Sequence, residues 1–142
     1  MCSDLPKVMH PLAGEPVLLH VISTAKALIS NRDGQITVVT GYGAEVIDPF
    51  VLDRGCRVVH QIEQKGTGHA LKTALKGVSP ETTTLVLYGD VPLVTSEELS
   101  QLIDSASVSL SVLTAIVSDP TGYGRIIRDQ DHSVVAITEE RD

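Results

Sequence analysis

Asp90 follows the apolar run Leu85-Val86-Leu87 and precedes Pro92, a pattern that places a carboxylate at the end of a buried strand. A carboxylate there can hold a hard cation such as Mg²⁺, which takes oxygen ligands and bridges phosphates. Gly89 lets a ligand approach the backbone closely, and Tyr88 stands beside it. The plainer alternative is that Asp90 caps the turn before Pro92, and this motif alone leaves the two readings level. Gly66-Thr67-Gly68 opens a helical stretch, so its free N–H groups suit an anion or a base carbonyl. Such a loop can equally be a mere strand-to-helix turn. Lys7, in Asp4-Leu5-Pro6-Lys7, is a mobile charge for a phosphate or a solvated surface lysine. Gln61 offers a donor–acceptor pair for a pyrimidine edge, or is an exposed polar residue. Gly122-Tyr123-Gly124 is backbone for a sugar, or a turn feeding a hairpin. Glu139 can bond sugar hydroxyls or belong to the charged tail Glu139–Asp142. His69 receives no acid–base role, because a lone helical histidine is more often packed than catalytic.

The elements that must position these residues alternate between helical and extended patterns. Pro16, at a first helical turn, opens a helix through about Leu28, with Val17, Val21, Ala25 and Leu28 as apolar positions. Asn31–Gly34 reads as a turn and Ile36–Val39 as a short buried strand. Gly41-Tyr42-Gly43 leads into a weaker helix over Ala44–Leu52, followed by a strand at Arg57–His60 and a helix over Gly66–Lys76. Thr84–Leu87 is the clearest buried strand. Ser96, followed by Glu97 and Glu98, reads as a helix N-cap with acidic first-turn residues. Leu110–Val117 reads as a long strand, and Arg125–Arg128 with Val134–Thr138 as a β-ribbon. This alternation predicts an α/β fold with a mainly parallel sheet, whose ligands sit beyond the carboxyl ends of the strands.

Composition narrows the class. The 142 residues suit one domain, and with one Phe, three Tyr and no Trp the core must be aliphatic. A formal charge of −7 argues against non-specific nucleic-acid binding. Cys2 and Cys56 fit no metal-ligand spacing and read as reduced thiols. No apolar run approaches the roughly 18 residues of a membrane span, and the first residues carry no leader-like apolar segment. The expectation is a cytoplasmic protein with neither nucleic-acid nor membrane partners.

Taken in order, the strings resemble the bacterial N-acetylglucosamine-1-phosphate uridyltransferase family, the domain that makes UDP-N-acetylglucosamine for cell-wall synthesis. The resembling residues are Ser3–His10, Leu12-Ala13-Gly14, Gln61 with Gly66–Ala70, Leu87–Leu93 and Asp119–Ile126, spread over nearly the whole chain. The resemblance implies a Rossmann-like nucleotidyltransferase fold, with one partial uridyltransferase domain over residues 1–142. It implies that Lys7 contacts nucleotide phosphate, and that Gln61, Gly66 and Thr67 recognise the uracil nucleotide. Asp90 matches a magnesium ligand, with Tyr88 and Gly89 beside it in the nucleotide site. Gly124 and Glu139 match positions that hold N-acetylglucosamine. Lys7 and Asp90 are the expected catalytic pair and Mg²⁺ the expected cofactor. The implied reaction joins UTP to N-acetylglucosamine 1-phosphate, giving UDP-N-acetylglucosamine and pyrophosphate. A non-catalytic nucleotide- or sugar-binding fragment, and a transferase for another sugar phosphate or base, are the alternatives.

The chain also departs from the family pattern. The family begins with a strand and a glycine-rich phosphate loop ending in Thr-Arg-Met, and Met1 coincides with that methionine. The family's further sugar-binding and metal-binding asparagines lie beyond the point matching Asp142, and the single asparagine here is Asn31. The family's β-helical acetyltransferase domain has no counterpart. The expectation is therefore weak binding with little turnover, and self-association through a sheet edge left open.

Overall fold

The computed structural model describes residues 3–105 and 110–138. Cys2 and Glu139 lie outside them. Two compact units are present, Met1–Ser111 and Val112–Asp142.

In the first unit a short 3₁₀ turn, Lys7–Met9, leads into a two-rung antiparallel hairpin, β1 (Pro11–Leu12) with β2 (Glu15–Pro16). Helix α1 (Val17–Ile29) follows, with Pro16 as its extended N-cap, one residue earlier than the predicted first-turn position. Its buried residues Leu18, Val21 and Ile22 recur at helical spacing and form one face. Strands β3 (Thr37–Thr40) and β4 (Arg57–His60) pair in parallel, with Thr37 opposite Arg57 and Thr40 opposite His60. Arg57 N donates to Ile36 O at 2.9 Å, and Gln61 N donates to Thr40 O at 2.8 Å, extending the ladder at both ends. Helix α2 (Ala44–Leu52) connects the two strands.

The core gathers Leu18, Ile22, Ile47, Val51 and Cys56, with Val8, Met9, Ile36, Val38, Phe50 and Val58 packed around it. Val51 is fully buried. Cys56 is a free thiol inside this core, and burial pushes its pKa up despite the nearby Lys26 and Arg54 charges. At the start of α2, Gly43 is the N-cap in the left-handed region, φ 75°, and a side chain there would run into the ring of buried Pro6. That close approach ties the segment carrying Lys7 to the helix start.

Helix α3 (Thr67–Ala74) opens at Gly66 and ends two residues short of the predicted Lys76. Helix α4 (Ser96–Ser105) packs against α1 and buries Leu99. Its cap is Thr95 rather than Ser96. Thr95 N donates to Glu98 Oε2 at 2.9 Å, and Glu98 N donates to Thr95 Oγ1 at 3.3 Å, a reciprocal capping box. The Thr95 N–H, and the Thr95 hydroxyl donating to Glu98 Oε2 at 2.7 Å, hold the Glu98 carboxyl below its ordinary pKa.

Two expected strands do not form. Thr84–Leu87 shows alternating half-buried and exposed residues, but no strand is assigned to it. No segment among the described residues pairs with it in a ladder. Leu110–Val117 is likewise unpaired and mostly exposed. Apolar, β-branched composition supplies the tendency to extend, whereas a strand also needs a hydrogen-bonding neighbour.

The second unit contains the antiparallel ribbon β5 (Arg125–Arg128) with β6 (Val134–Thr138), at the predicted bounds. Its turn is tied by Asp129, whose Oδ1 accepts from Asp131 N at 3.0 Å and Ser133 N at 2.9 Å. The α/β class therefore holds, with one parallel pair and two antiparallel ones among the described residues. None of the described helices is long and apolar enough to cross a membrane.

Candidate functional site

A parallel strand pair ends where backbone carbonyls and the loops beyond them face outward, and in open α/β sheets that rim takes ligands. Here the rim carries a groove of about 400 Å³, lined by Thr40, Gly41 and Tyr42 after β3, Gln61 and Gln64 after β4, and Gly66, Thr67 and Ala70 of the α3 entry. Three residues expected to read the nucleotide, Gln61, Gly66 and Thr67, thus meet in one place. The first-turn N–H groups of α3 have no intrahelical partners and carry the positive end of the helix dipole. Gly66 has φ 85° with no atom within 4 Å of where a side chain would project, so its backbone is open to a ligand. A side chain at Gly41 would meet the Gln64 amide at 3.2 Å and the Gln61 carbonyl at 3.4 Å, which keeps that floor bare.

Gln61 is fixed on both its backbone and its side chain. Its Nε2 donates to Gly66 O at 3.0 Å and lies 3.0 Å from His69 Nδ1. His69 received no role from sequence, and neither did Thr40, Tyr42 or Gln64. Thr40 is buried, and its Oγ1 has no hydrogen-bond partner among the described residues. The one sequence signal for these residues is proximity to a strand end. Nothing in the residue order announces that the glycine turn folds His69 back onto Gln61.

The second cluster joins Lys7 to Asp90, with Nζ 2.7 Å from Oδ2. The Lys7 hydrogen bond and charge hold the Asp90 carboxyl below its ordinary pKa, against a smaller opposing effect of burial. The Asp90 turn is closed by Val91 N donating to Tyr88 O at 3.2 Å. It is seated on the core at Gly89, where a side chain would lie 3.4 Å from Leu18 and 3.6 Å from Val8. Tyr88 itself is exposed. Lys7 and Asp90 do not line the groove; Pro6 against Gly43 is the link that holds the lysine segment beside the loop after β3. Among the described residues no three His, Cys, Asp or Glu side chains cluster as a preformed metal site. In the Lys7–Asp90 pair, Asp90 alone offers a carboxylate, an oxygen donor of the type that hard cations take.

Gly124 lies in the second unit, exposed, just before β5. The preceding turn is braced by Asp119, which accepts from Thr121 N at 3.1 Å and Thr121 Oγ1 at 2.7 Å. The Thr121 hydroxyl and amide hold the Asp119 carboxyl below its ordinary pKa. Arg125 Nη1 donates to Pro120 O at 2.8 Å and also to Tyr123 O, clamping the glycine turn. Glu139 falls outside the described residues. A separate groove of about 430 Å³ along α3, lined by Gly68, Leu71, Lys72, Leu75 and Lys76, contains none of the expected residues.

A glycine turn opening a helix at the carboxyl rim of parallel strands, with a lysine–carboxylate pair nearby, defines the class of α/β nucleotide-handling domains. Comparison with known families is specific. The chain belongs to the MobA-like NTP transferase domain family, whose model matches residues 1–133. Its relatives include the bifunctional protein GlmU of Burkholderia mallei (strain SAVP1) and of Burkholderia pseudomallei (strain K96243), each 49% identical over 143 residues. The GlmU of Burkholderia ambifaria (strain MC40-6) is 48% identical over the same length. These matches cover all of this chain and 31% of each relative, so the chain spans about a third of their length.

Proposed function

We propose that this chain carries the nucleotide site of a uridyltransferase that moves UMP from UTP to N-acetylglucosamine 1-phosphate. The observation that carries the reading is the convergence of Gln61, Gly66 and Thr67 on one groove at the carboxyl rim of β3 and β4. The family match runs through both compact units, which supports reading them as parts of one transferase domain. The match to the MobA-like NTP transferase domain family supports transfer of a nucleotidyl group.

In this reading the base lies in the groove and Lys7 turns from Asp90 to the triphosphate. An anionic oxygen of the sugar phosphate attacks the α-phosphorus; one P–O bond forms, the bond to the β-phosphate bridge breaks, and pyrophosphate leaves with that electron pair. The nucleophile is already deprotonated, so the chain has no proton to remove. Its task is alignment and neutralisation of charge. Asp90 would hold Mg²⁺, which supplies charge neutralisation across the phosphates. Gly124, and Glu139 beyond the described residues, would hold the N-acetylglucosamine moiety. The site needs no membrane or nucleic acid, and its substrates are those of a cytoplasmic enzyme.

A second reading, binding without turnover, is favoured by the unpaired segment that carries Asp90. Among the described residues no strand stands beside Thr84–Leu87, so the carboxylate is anchored there by its turn and by Lys7 rather than by a sheet. That unpaired backbone also supports self-association by strand addition. Pyrophosphate release from UTP, N-acetylglucosamine 1-phosphate and Mg²⁺, measured beside Asp90→Ala, separates the readings. Turnover lost in the variant supports the transferase. UTP binding without turnover in the unaltered chain supports the second reading, and the absence of both rejects the proposal.

A further inference from the structure

Resting on the uridine reading, we infer that His69 is a positioning residue that fixes which end of the Gln61 amide reads the base. A carbonyl oxygen only accepts, so the end of the amide facing Gly66 O at 3.0 Å is the NH₂ group. The same nitrogen lies 3.0 Å from His69 Nδ1. An amide nitrogen does not accept, so Nδ1 must, and the ring carries its proton on Nε2. Both N–H bonds of Gln61 are then used within the protein. The unused atom is Oε1, an acceptor, on a residue that lines the groove.

The same groove is lined by Gly66 and Thr67, where the first-turn donors of α3 begin without intrahelical partners. An acceptor and donors in one groove complement an imide edge, where a ring N–H adjoins a carbonyl. Uracil has such an edge. Cytosine presents the reverse, a bare ring nitrogen beside an amino group, and would set acceptor against acceptor and donor against donor. With the opposite tautomer of His69, the amide would gain a reason to turn over and the preference would weaken or invert. Residue 69 therefore acts on the base through Gln61 and touches no reacting atom.

Two measurements on the 142-residue chain test this. Two-bond ¹⁵N–¹H correlation of the imidazoles should show His69 with Nε2 protonated and Nδ1 bare. A proton on Nδ1 overturns the inference whatever the chain binds. Calorimetric titration should show UTP bound roughly tenfold to a hundredfold tighter than CTP, the discrimination of one good bidentate base contact. His69→Phe, which keeps the ring but removes the acceptor, should shrink that ratio several-fold. His69→Asn, whose Oδ1 stands near the place of Nδ1, should restore much of it. A packing role would respond to ring size and give the opposite order. Equal binding of UTP and CTP by the unaltered chain overturns the inference, whereas binding of neither overturns the uridine reading and leaves the tautomer as the deciding result. If His69→Phe loses its dispersed amide spectrum, the tautomer and the Asn variant decide.

Discussion

Substituting alanine at Gly43 should be among the costliest single methyl additions in this protein, and Gly55 provides its control. Both glycines occupy the left-handed region, with φ 75° and 72°. An alanine forced there carries a backbone penalty of about 1–2 kcal/mol. At Gly55 nothing lies within 4 Å of the new methyl, so the backbone term stands alone. At Gly43 the methyl runs into the Pro6 ring, and overpacking a buried contact adds about 1–3 kcal/mol. The expected losses are therefore about 1–2 kcal/mol for Gly55→Ala and about 2–5 kcal/mol for Gly43→Ala. Urea unfolding followed by circular dichroism reads both, provided the slope m is unchanged so that midpoint shifts report stability. Equal midpoints for the two variants would refute the idea that Pro6 presses on the start of α2. If Pro6 instead retreats, Lys7 moves with it, and UTP affinity should fall in Gly43→Ala while Gly55→Ala binds normally.

Other perturbations follow from single contacts. Because Lys7 depresses the Asp90 pKa, the pair's contribution is present above the ordinary carboxylate range and fades as pH falls through the lowered value. Both partners are substantially exposed, so Lys7→Met should cost at most about 1 kcal/mol; ¹³C titration should show the Asp90 carboxyl moving up towards its ordinary pKa. No upward movement would detach the lowered value from Lys7. Thr95→Ala removes the reciprocal cap of α4 and should cost about 1 kcal/mol in urea unfolding, while Ser96→Ala should be close to neutral. Ala13 sits at φ 52° in the hairpin turn, so Ala13→Gly should raise stability by up to about 1 kcal/mol, read as an increased Tm. A decrease would mean that the freedom glycine adds to the unfolded chain outweighs the relieved strain.

Much of the fold was legible because its signals are local. The strand Arg57–His60, the helix Ala44–Leu52 and the ribbon strands carry their own periodicity and turn residues, and they stand at the expected bounds. The cap of α4 was misplaced at Ser96, although Glu98, three residues after Thr95, completes a capping box that Ser96 cannot make with Leu99. Thr84–Leu87 failed for a different reason. Its residues favour an extended backbone, but whether a neighbour supplies the hydrogen bonds is not a property of those residues. In the candidate site, the Gly66-Thr67-Gly68 loop and Asp90 stood out by type and position, whereas Gln61 was raised above an exposed polar residue only by resemblance. His69 did not stand out, because its role arises only when the turn at Gly66 brings two side chains together. Lys7, 83 positions from Asp90, was nominated by resemblance, and their direct pairing emerged from the structure.

Gln61, which lines the groove, is also the next rung of the sheet, through its N on Thr40 O. If Gln61 reads the base as proposed, recognition and strand alignment are one variable, with a consequence for how this sequence can drift. Side chains alternate across a sheet with a period of two, so deleting one residue within Arg57–His60 would turn Gln61 to the opposite face or break its bond to β3. An insertion in the turn at Asp53–Gly55 leaves that phase intact. Length variation among descendants of this chain should collect in that turn and spare Arg57–His60, even where their identities change.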